Sequence, residues 1–97
     1  MTRALFRPAA IADIEEACGW YESQRPGLGL DFLQAVDLAV ATVLENRRMF
    51  PILRRDIRRA LLGRFPYGLF YRLVDDRVVV VGCLHAKRDP ISWRARL

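Results

Sequence analysis

Lysine is nearly absent from this 97-residue chain: of its sixteen Lys and Arg residues, Lys87 alone is lysine. Histidine is as scarce. His85 stands by itself, which excludes a His-rich metal site, and a Ser-His-Asp arrangement would have to recruit Ser23 or Ser92, the only serines. The two cysteines, Cys18 and Cys83, lie far apart inside apolar runs with no metal-ligand neighbour at the usual spacing, so reduced, buried thiols are expected. No Gly-rich phosphate loop is present, because Gly27-Leu28-Gly29 falls between two helical patterns instead of after a strand. The opening Met1-Thr2-Arg3-Ala4-Leu5-Phe6-Arg7 has neither a long apolar segment nor a small-residue cleavage site, which predicts a cytoplasmic protein with no membrane span. Repeats and low-complexity stretches are missing too. Nothing in the composition asks for a cofactor or a metal.

What is present is hydrophobicity and positive charge. Hydrophobic residues make up 53% and the formal net charge is +5. A chain of this length forms one domain, here taken as residues 1–97, and buries only roughly 60 to 65% of the surface it exposes when unfolded. Part of its apolar surface is therefore expected to need a partner, and the charge favours an acidic one, either nucleic acid or protein. Arginine holds its charge when half-buried and makes forked contacts to carboxylate or phosphate, as an interface requires. A GC-rich genome is another source of the arginine bias, though not of where the arginines cluster.

Ala4 to Arg7 reads as a short strand stopped by Pro8, a good first residue for a helix. Ile11, Ile14, Ala17, Cys18 and Tyr21 recur at helical spacing, with Asp13, Glu15, Glu16 and Glu22 on the wet side. This helix should end near Gln24, before Arg25-Pro26-Gly27-Leu28-Gly29. A second runs from about Leu30 to Arg47 on a stripe of Phe32, Val36, Ala39, Val40, Val43 and Leu44, completing an αα-hairpin. Three strands follow, at Arg54–Leu62, Leu69–Val74 and Arg77–His85, the last joined to its predecessor by Asp75-Asp76. The fold predicted is α+β: an N-terminal strand, an α-helical hairpin, an antiparallel three-stranded meander and a short C-terminal tail. The last strand is apolar on both faces, which places it inside the sheet, with helices on one side and other chain on the second.

The arginines carry most of the remaining information. Arg54, Arg55, Arg58, Arg59, Arg64 and Arg72 lie on consecutive strands and their turn, and Lys87, Arg88, Arg94 and Arg96 follow the last strand. Strand alternation lets Arg58 and Arg72 approach one another across neighbouring strands while Arg59 points elsewhere. Like charges so placed need an anion between them. RNA phosphate, a partner's carboxylate, and the chain's own Asp56, Asp75, Asp76 or Asp89 all qualify, and a solvated face with internal salt bridges is the plain alternative. His85 is either a general acid or base or a strand-end residue hydrogen-bonded to Asp89 or to backbone.

Trp20-Tyr21-Glu22, Pro26-Gly27-Leu28-Gly29, Phe65-Pro66-Tyr67-Gly68-Leu69-Phe70-Tyr71-Arg72 and His85-Ala86-Lys87-Arg88-Asp89-Pro90-Ile91-Ser92-Trp93, in this order and at this length, resemble the RelE/ParE superfamily of type II toxin–antitoxin toxins. One departure is Arg7, where many relatives have a serine before the proline; it removes a helix N-cap. The resemblance implies a small cytosolic toxin neutralised by a cognate ParD-like or RelB-like antitoxin, whose C-terminal segment wraps the sheet and the hairpin. Trp20, Tyr21, Arg58, Arg59, Phe70 and Arg72 are the residues it points to for antitoxin contact. RelE-like members cut mRNA on the ribosome, commonly with a tyrosine near the C-terminus, whereas ParE-like members inhibit DNA gyrase.

No tyrosine follows Tyr71 here, and Trp93 stands where a nucleolytic tyrosine would be wanted. An indole can stack on a base but cannot exchange a proton as a phenol does, and Trp93 reads more simply as an apolar anchor for the tail. The ParE-like branch is therefore favoured: a non-catalytic gyrase inhibitor whose target contacts are Lys87, Arg88, Trp93, Arg94 and Arg96. The alternatives are a ribosome-dependent endoribonuclease, with Arg58, Arg64, Arg72, Lys87 and Arg88 on the scissile phosphate and His85 as proton shuttle, and a degenerate toxin that only binds its antitoxin.

Overall fold

The computed structural model describes residues 3–87. The chain runs β1 (Leu5–Phe6), α1 (Pro8–Gln24), α2 (Leu28–Glu45), β2 (Ile52–Arg54), β3 (Ile57–Leu61), β4 (Tyr67–Val74) and β5 (Arg77–His85). The five strands form one sheet in the order β1-β5-β4-β3-β2, antiparallel except for β1, which pairs in parallel with β5 through Leu5 and Phe6 opposite Val79 and Val80. The α+β architecture expected from the sequence is present, and β5 lies inside the sheet.

Two details differ from the sequence reading. The stretch expected as one strand from Arg54 to Leu62 is a hairpin, turned at Arg55 and Asp56, so the antiparallel part has a fourth strand at its edge. Arg55 takes the left-handed conformation there, with φ of 52°, which a residue of its type seldom does and which no turn motif announces. Helix α2 also starts earlier, at Leu28, directly behind Gly27, whose φ of 90° suits glycine.

The hairpin of α1 and α2 depends on two motif residues. The Glu22 carboxylate accepts the N–H groups of Gly27 at 3.1 Å and Gly29 at 3.0 Å, which satisfies donors that the start of α2 would otherwise leave orphaned. Gly29 then lets the helices touch. A Cβ added there would stand 2.9 Å from the Cys18 carbonyl oxygen, which is backbone and cannot step aside. Gly29→Ala is accordingly expected to cost about 1 to 3 kcal/mol by overpacking, read as a lower denaturant midpoint with an unchanged m-value.

Alternation along the strands separates two cores. Leu69, Tyr71, Val78, Val80 and Cys83 face the helices and join Phe32, Val36 and Val43 of α2 and Ala10 and Ala17 of α1. Ile57, Phe70, Val79, Val81 and Leu84 are buried on the opposite face. Opposite Phe70 and Tyr71 lie Gly82 and Val80, so Val81 is an extra residue bulged out of β5, and the bulge resets the alternation so that Cys83 returns to the helix side. Around Phe32 the rings of Tyr21, Phe65 and Tyr67 pack at centroid distances of 5.2 to 5.3 Å, which ties α1, α2 and the β3–β4 loop together. The β4–β5 turn is closed by Asp75 and Asp76, both at positive φ, the geometry that two-residue hairpins favour.

Candidate functional site

Arg58 and Arg72 do not approach one another. The register sets Arg58 opposite Tyr71, on the helix side, and Arg72, one residue further along β4, on the far side opposite Val79. On that face Arg59 lies opposite Phe70, two residues before Arg72, and the register puts the apolar Ile57 across from Arg72. A one-residue difference in register exchanges the two faces, and composition carries no information about register.

Each arginine also has its own occupation. Arg58 reaches over the segment after α2 and donates to the carbonyls of Arg48 at 3.1 Å and Phe50 at 2.6 Å. Beside it the Tyr71 hydroxyl donates to the Arg47 carbonyl at 2.7 Å. Burial pushes the Tyr71 phenol above its ordinary range, with Arg58 pulling the other way, so the hydroxyl remains a donor. Arg72 makes a forked pair with Asp56 of the β2–β3 turn, its Nη2 lying 2.8 Å and 3.0 Å from the two carboxylate oxygens. The anion expected among the sheet arginines is thus, for Arg72, the chain's own Asp56. Arg64 lies 3.6 Å from Asp31 and above the Phe65 ring.

Arg59 is different. Its side chain makes no hydrogen bond or ion pair among the described residues, and its stem lies across Gly68, where a Cβ would come within 2.9 Å of its Cγ and Cδ. The glycine of the Phe65-Pro66-Tyr67-Gly68 motif therefore makes room for an arginine whose charged end is left available on the sheet face that also carries Phe70.

His85 ends β5, opposite Tyr67, and its ring stands edge-on to the tyrosine at 5.4 Å. Its Nδ1 accepts the Lys87 backbone N–H at 3.1 Å, the strand-end role foreseen for it, which leaves the ring proton on Nε2. Val79, the partner of Arg72, lies about 20 Å back along β5 from His85. Arg58, Arg64, Arg72 and His85 are thus spread over two faces and opposite ends of the sheet. Lys87 is exposed beside His85. Arg88, Asp89, Trp93, Arg94 and Arg96 lie outside the described residues.

Two depressions flank the hairpin. One, of about 560 Å³, lies between α1 and the end of β5, with Asp13, Glu16, Trp20, Tyr67 and His85 in its walls. The other, of about 380 Å³, lies between α2 and β3 and is walled largely by Ala35, Leu38, Ala39, Phe50 and Leu61. Of its lining, Leu38 and Leu61 are exposed, Leu38 at 69%, and Leu30 and Leu33 are exposed elsewhere on α2. The sequence reading kept to the buried stripe of α2 and passed over these leucines. Their signal was the apolar character of α2 on nearly every side, which a helix with one wet face does not show. Of the residues expected to meet an antitoxin, Trp20 is 56% exposed, whereas Phe70 is buried and Tyr21 is half-buried against Phe32 and Phe65.

Cys83, in the inner wall, is chemically quiet. Burial pushes its thiol up to about 12, and the nearby Asp13 carboxylate, which accepts the Cys83 N–H at 3.0 Å, adds to the rise. A thiol-reactive probe on the folded chain is expected to modify Cys18 and spare Cys83. Because the folded thiol holds its proton beyond the point where the unfolded one, near 8.5 to 9, loses it, its contribution to stability is complete below about pH 9 and disappears as pH rises toward 12. Cys83→Ala should flatten the stability profile in that window.

Residues 4–90 match the family model of the ParE toxin of type II toxin–antitoxin systems, parDE. The chain belongs to the ParE toxin family. Its fold is shared with a chain of the chromosomal ParDE toxin–antitoxin system of P. aeruginosa, at 18% identity and a TM-score of 0.65 over 88% of this chain and 96% of that one. The isolated E. coli RelE toxin is equally similar, at 19% identity and a TM-score of 0.66 over 98% and 95%. No curated protein matches it by sequence. This ParE-family toxin is therefore one half of a type II toxin–antitoxin pair, with an antitoxin as its partner. No helix among the described residues is long and apolar enough to cross a membrane.

Proposed function

We propose that this toxin acts in the cytoplasm by binding DNA gyrase and not by cleaving RNA. The observation that carries the reading is the employment of the arginines. Arg58 clamps backbone carbonyls, Arg72 is held by Asp56, Arg64 lies against Asp31, and His85 stands about 20 Å along the sheet from Arg72's position. Phosphoryl-transfer chemistry needs its cationic and proton-transferring groups converged within hydrogen-bond reach of one phosphate. An inhibitor that works by contact needs only a surface, for which Lys87 and the segment through Arg96 are the proposed contacts.

The antitoxin is assigned to two surfaces. Exposed Leu38 and Leu61 offer an apolar patch, and the guanidinium of Arg59, unpaired among the described residues, offers a cation two residues along β3 from Leu61. An amphipathic, acidic segment of a ParD-like partner answers both, gaining affinity as it folds onto them.

Inducing the chain without its antitoxin is expected to arrest growth and to trigger a DNA-damage response, with bulk mRNA left intact. His85→Ala should leave that toxicity within about twofold of wild type. Arrest with codon-periodic mRNA cleavage, abolished by the same substitution in a folded protein, would replace the gyrase reading with the nuclease one. Harmless expression of a folded product would leave only an antitoxin-binding role.

A further inference from the structure

The charge of the chain is divided between its two layers. From Pro8 to Glu45, the helical hairpin, there are seven carboxylates and a single arginine, Arg25, which lies in the connecting turn. From Asn46 to Lys87, the antiparallel strands and their connections, there are ten Arg and Lys residues against three aspartates. Many of these cations gather at one end of the sheet, because the register brings the β2–β3 and β4–β5 turns to the same end. Arg54, Arg55 and Arg77 are exposed there, and their side chains make no hydrogen bond or ion pair among the described residues. Arg54 on β2 and Arg77 on β5 are three strand spacings apart, about 15 Å. Met49, Ile52 and Val74 are exposed at the same end. The other layer is its complement. Glu15 of α1 and Asp37 and Glu45 of α2 are exposed and unpaired among the described residues, on the sides of the helices opposite the buried Ala17 and Val36. Leu30 and Leu38 are exposed on that side of α2 as well.

We propose that the acidic outer face of the hairpin is a docking surface for the arginine-bearing end of the sheet of a second copy of this chain. Each surface combines exposed apolar side chains with unpaired charge of one sign, and the signs are opposite, so contact takes apolar groups out of water while it pairs the charges. A two-fold contact would set arginines against arginines or carboxylates against carboxylates. The copies therefore meet head to tail, each keeping one unused surface, and association continues beyond the dimer. The net charge of +5 opposes this at long range, but at physiological ionic strength the Debye length is about 8 Å, which screens distant charges and spares the touching ones. Exposed ion pairs contribute little singly, so the association is weak and reversible. It depends on neither the gyrase reading nor the antitoxin reading.

Sedimentation velocity of the purified toxin tests the contact. At about 0.15 M salt the weight-average mass is expected to rise to that of a dimer and beyond as concentration is raised through the micromolar range. At about 1 M salt, where the Debye length falls to about 3 Å, it should return toward the monomer. Arg54→Glu with Arg77→Glu should stay monomeric, and so should Glu15→Arg with Asp37→Arg. An equimolar mixture of these two variants should associate again, because each reversed surface then meets its opposite. All four positions are exposed, so both variants should melt cooperatively like the wild type. Glutamine at the same positions serves where a reversed pair fails to fold, and should weaken association severalfold. A wild-type chain that stays monomeric at every concentration, association that strengthens with salt, or a mixture no larger than its components overturns the proposal. So does a monomeric wild type whose Arg54→Glu, Arg77→Glu variant loses antitoxin binding, a result that gives this end of the sheet to the antitoxin.

Discussion

Phe32→Ala is expected to remove about 3 to 5 kcal/mol of stability, the cost of deleting a fully buried aromatic ring. Phe32 has no exposed surface, and its ring is shared by Tyr21 of α1, Phe65 of the β3–β4 loop and Tyr67 of β4. These neighbours come from three elements held by different parts of the fold, so they cannot close together over the space. For a domain of this size the loss corresponds to a fall in Tm on the order of 20 °C, and total stabilities of such domains are only roughly 5 to 15 kcal/mol. The same substitution also loosens Tyr21 and Tyr67, which line the depression between α1 and β5. A thermal melt checks it, and a fall of less than about 5 °C would mean that the aromatic cluster does not organise this core.

Arg58→Met is expected to cost about 2 to 4 kcal/mol while leaving the surface chemistry of the toxin in place. Two carbonyls, those of Arg48 and Phe50, lose a charged donor and keep only whatever water can reach them. Tyr71→Phe leaves the Arg47 carbonyl in the same position and should cost about 1 to 2 kcal/mol. Because the two side chains are strand partners fastening one segment, the double variant should lose less than the sum of the singles. A residue that held a scissile phosphate would behave in the opposite way, with activity falling and stability staying or rising once its uncompensated charge was gone. The expected result is a lower Tm with growth inhibition retained at a permissive temperature.

The elements whose physics is local were legible in the sequence. The three- and four-residue spacing of Ile11, Ile14, Ala17, Cys18 and Tyr21 places α1, and Pro8 marks its start at the position where α1 begins. The apolar run Val78–Val81 puts β5 inside the sheet because only an interior strand buries both faces. Long-range pairing was not legible. Whether Arg58 faces Arg72 depends on the register between β3 and β4, which no local pattern fixes, and the β2–β3 turn at Arg55 and Asp56 lacks the glycine or asparagine that advertises such turns. Glu22 fell on the wet face by periodicity, correctly, but its task is to hold two glycine N–H groups of the next helix, which lies outside any single-helix pattern. The depression between α1 and β5 was hidden for a similar reason. Asp13 and Glu16 read as an ordinary solvated face until the end of β5 is brought opposite them, carrying His85 and the buried, inert Cys83.

The family motifs gain a physical meaning from this arrangement. Gly29 of Pro26-Gly27-Leu28-Gly29 permits helix contact, and Gly68 of Phe65-Pro66-Tyr67-Gly68 seats the stem of Arg59. They are constraints of the scaffold, and they do not choose between targets. The choice rests on what the side chains of this chain are free to do.

Supercoiling of relaxed plasmid by purified DNA gyrase, with the purified toxin added in increasing amounts, tests that choice most directly. Inhibition that saturates, is relieved by the antitoxin and is unaffected by His85→Ala is the predicted result. Full supercoiling in the presence of excess folded toxin, with translating ribosomes in a parallel reaction yielding cleaved mRNA, would contradict it.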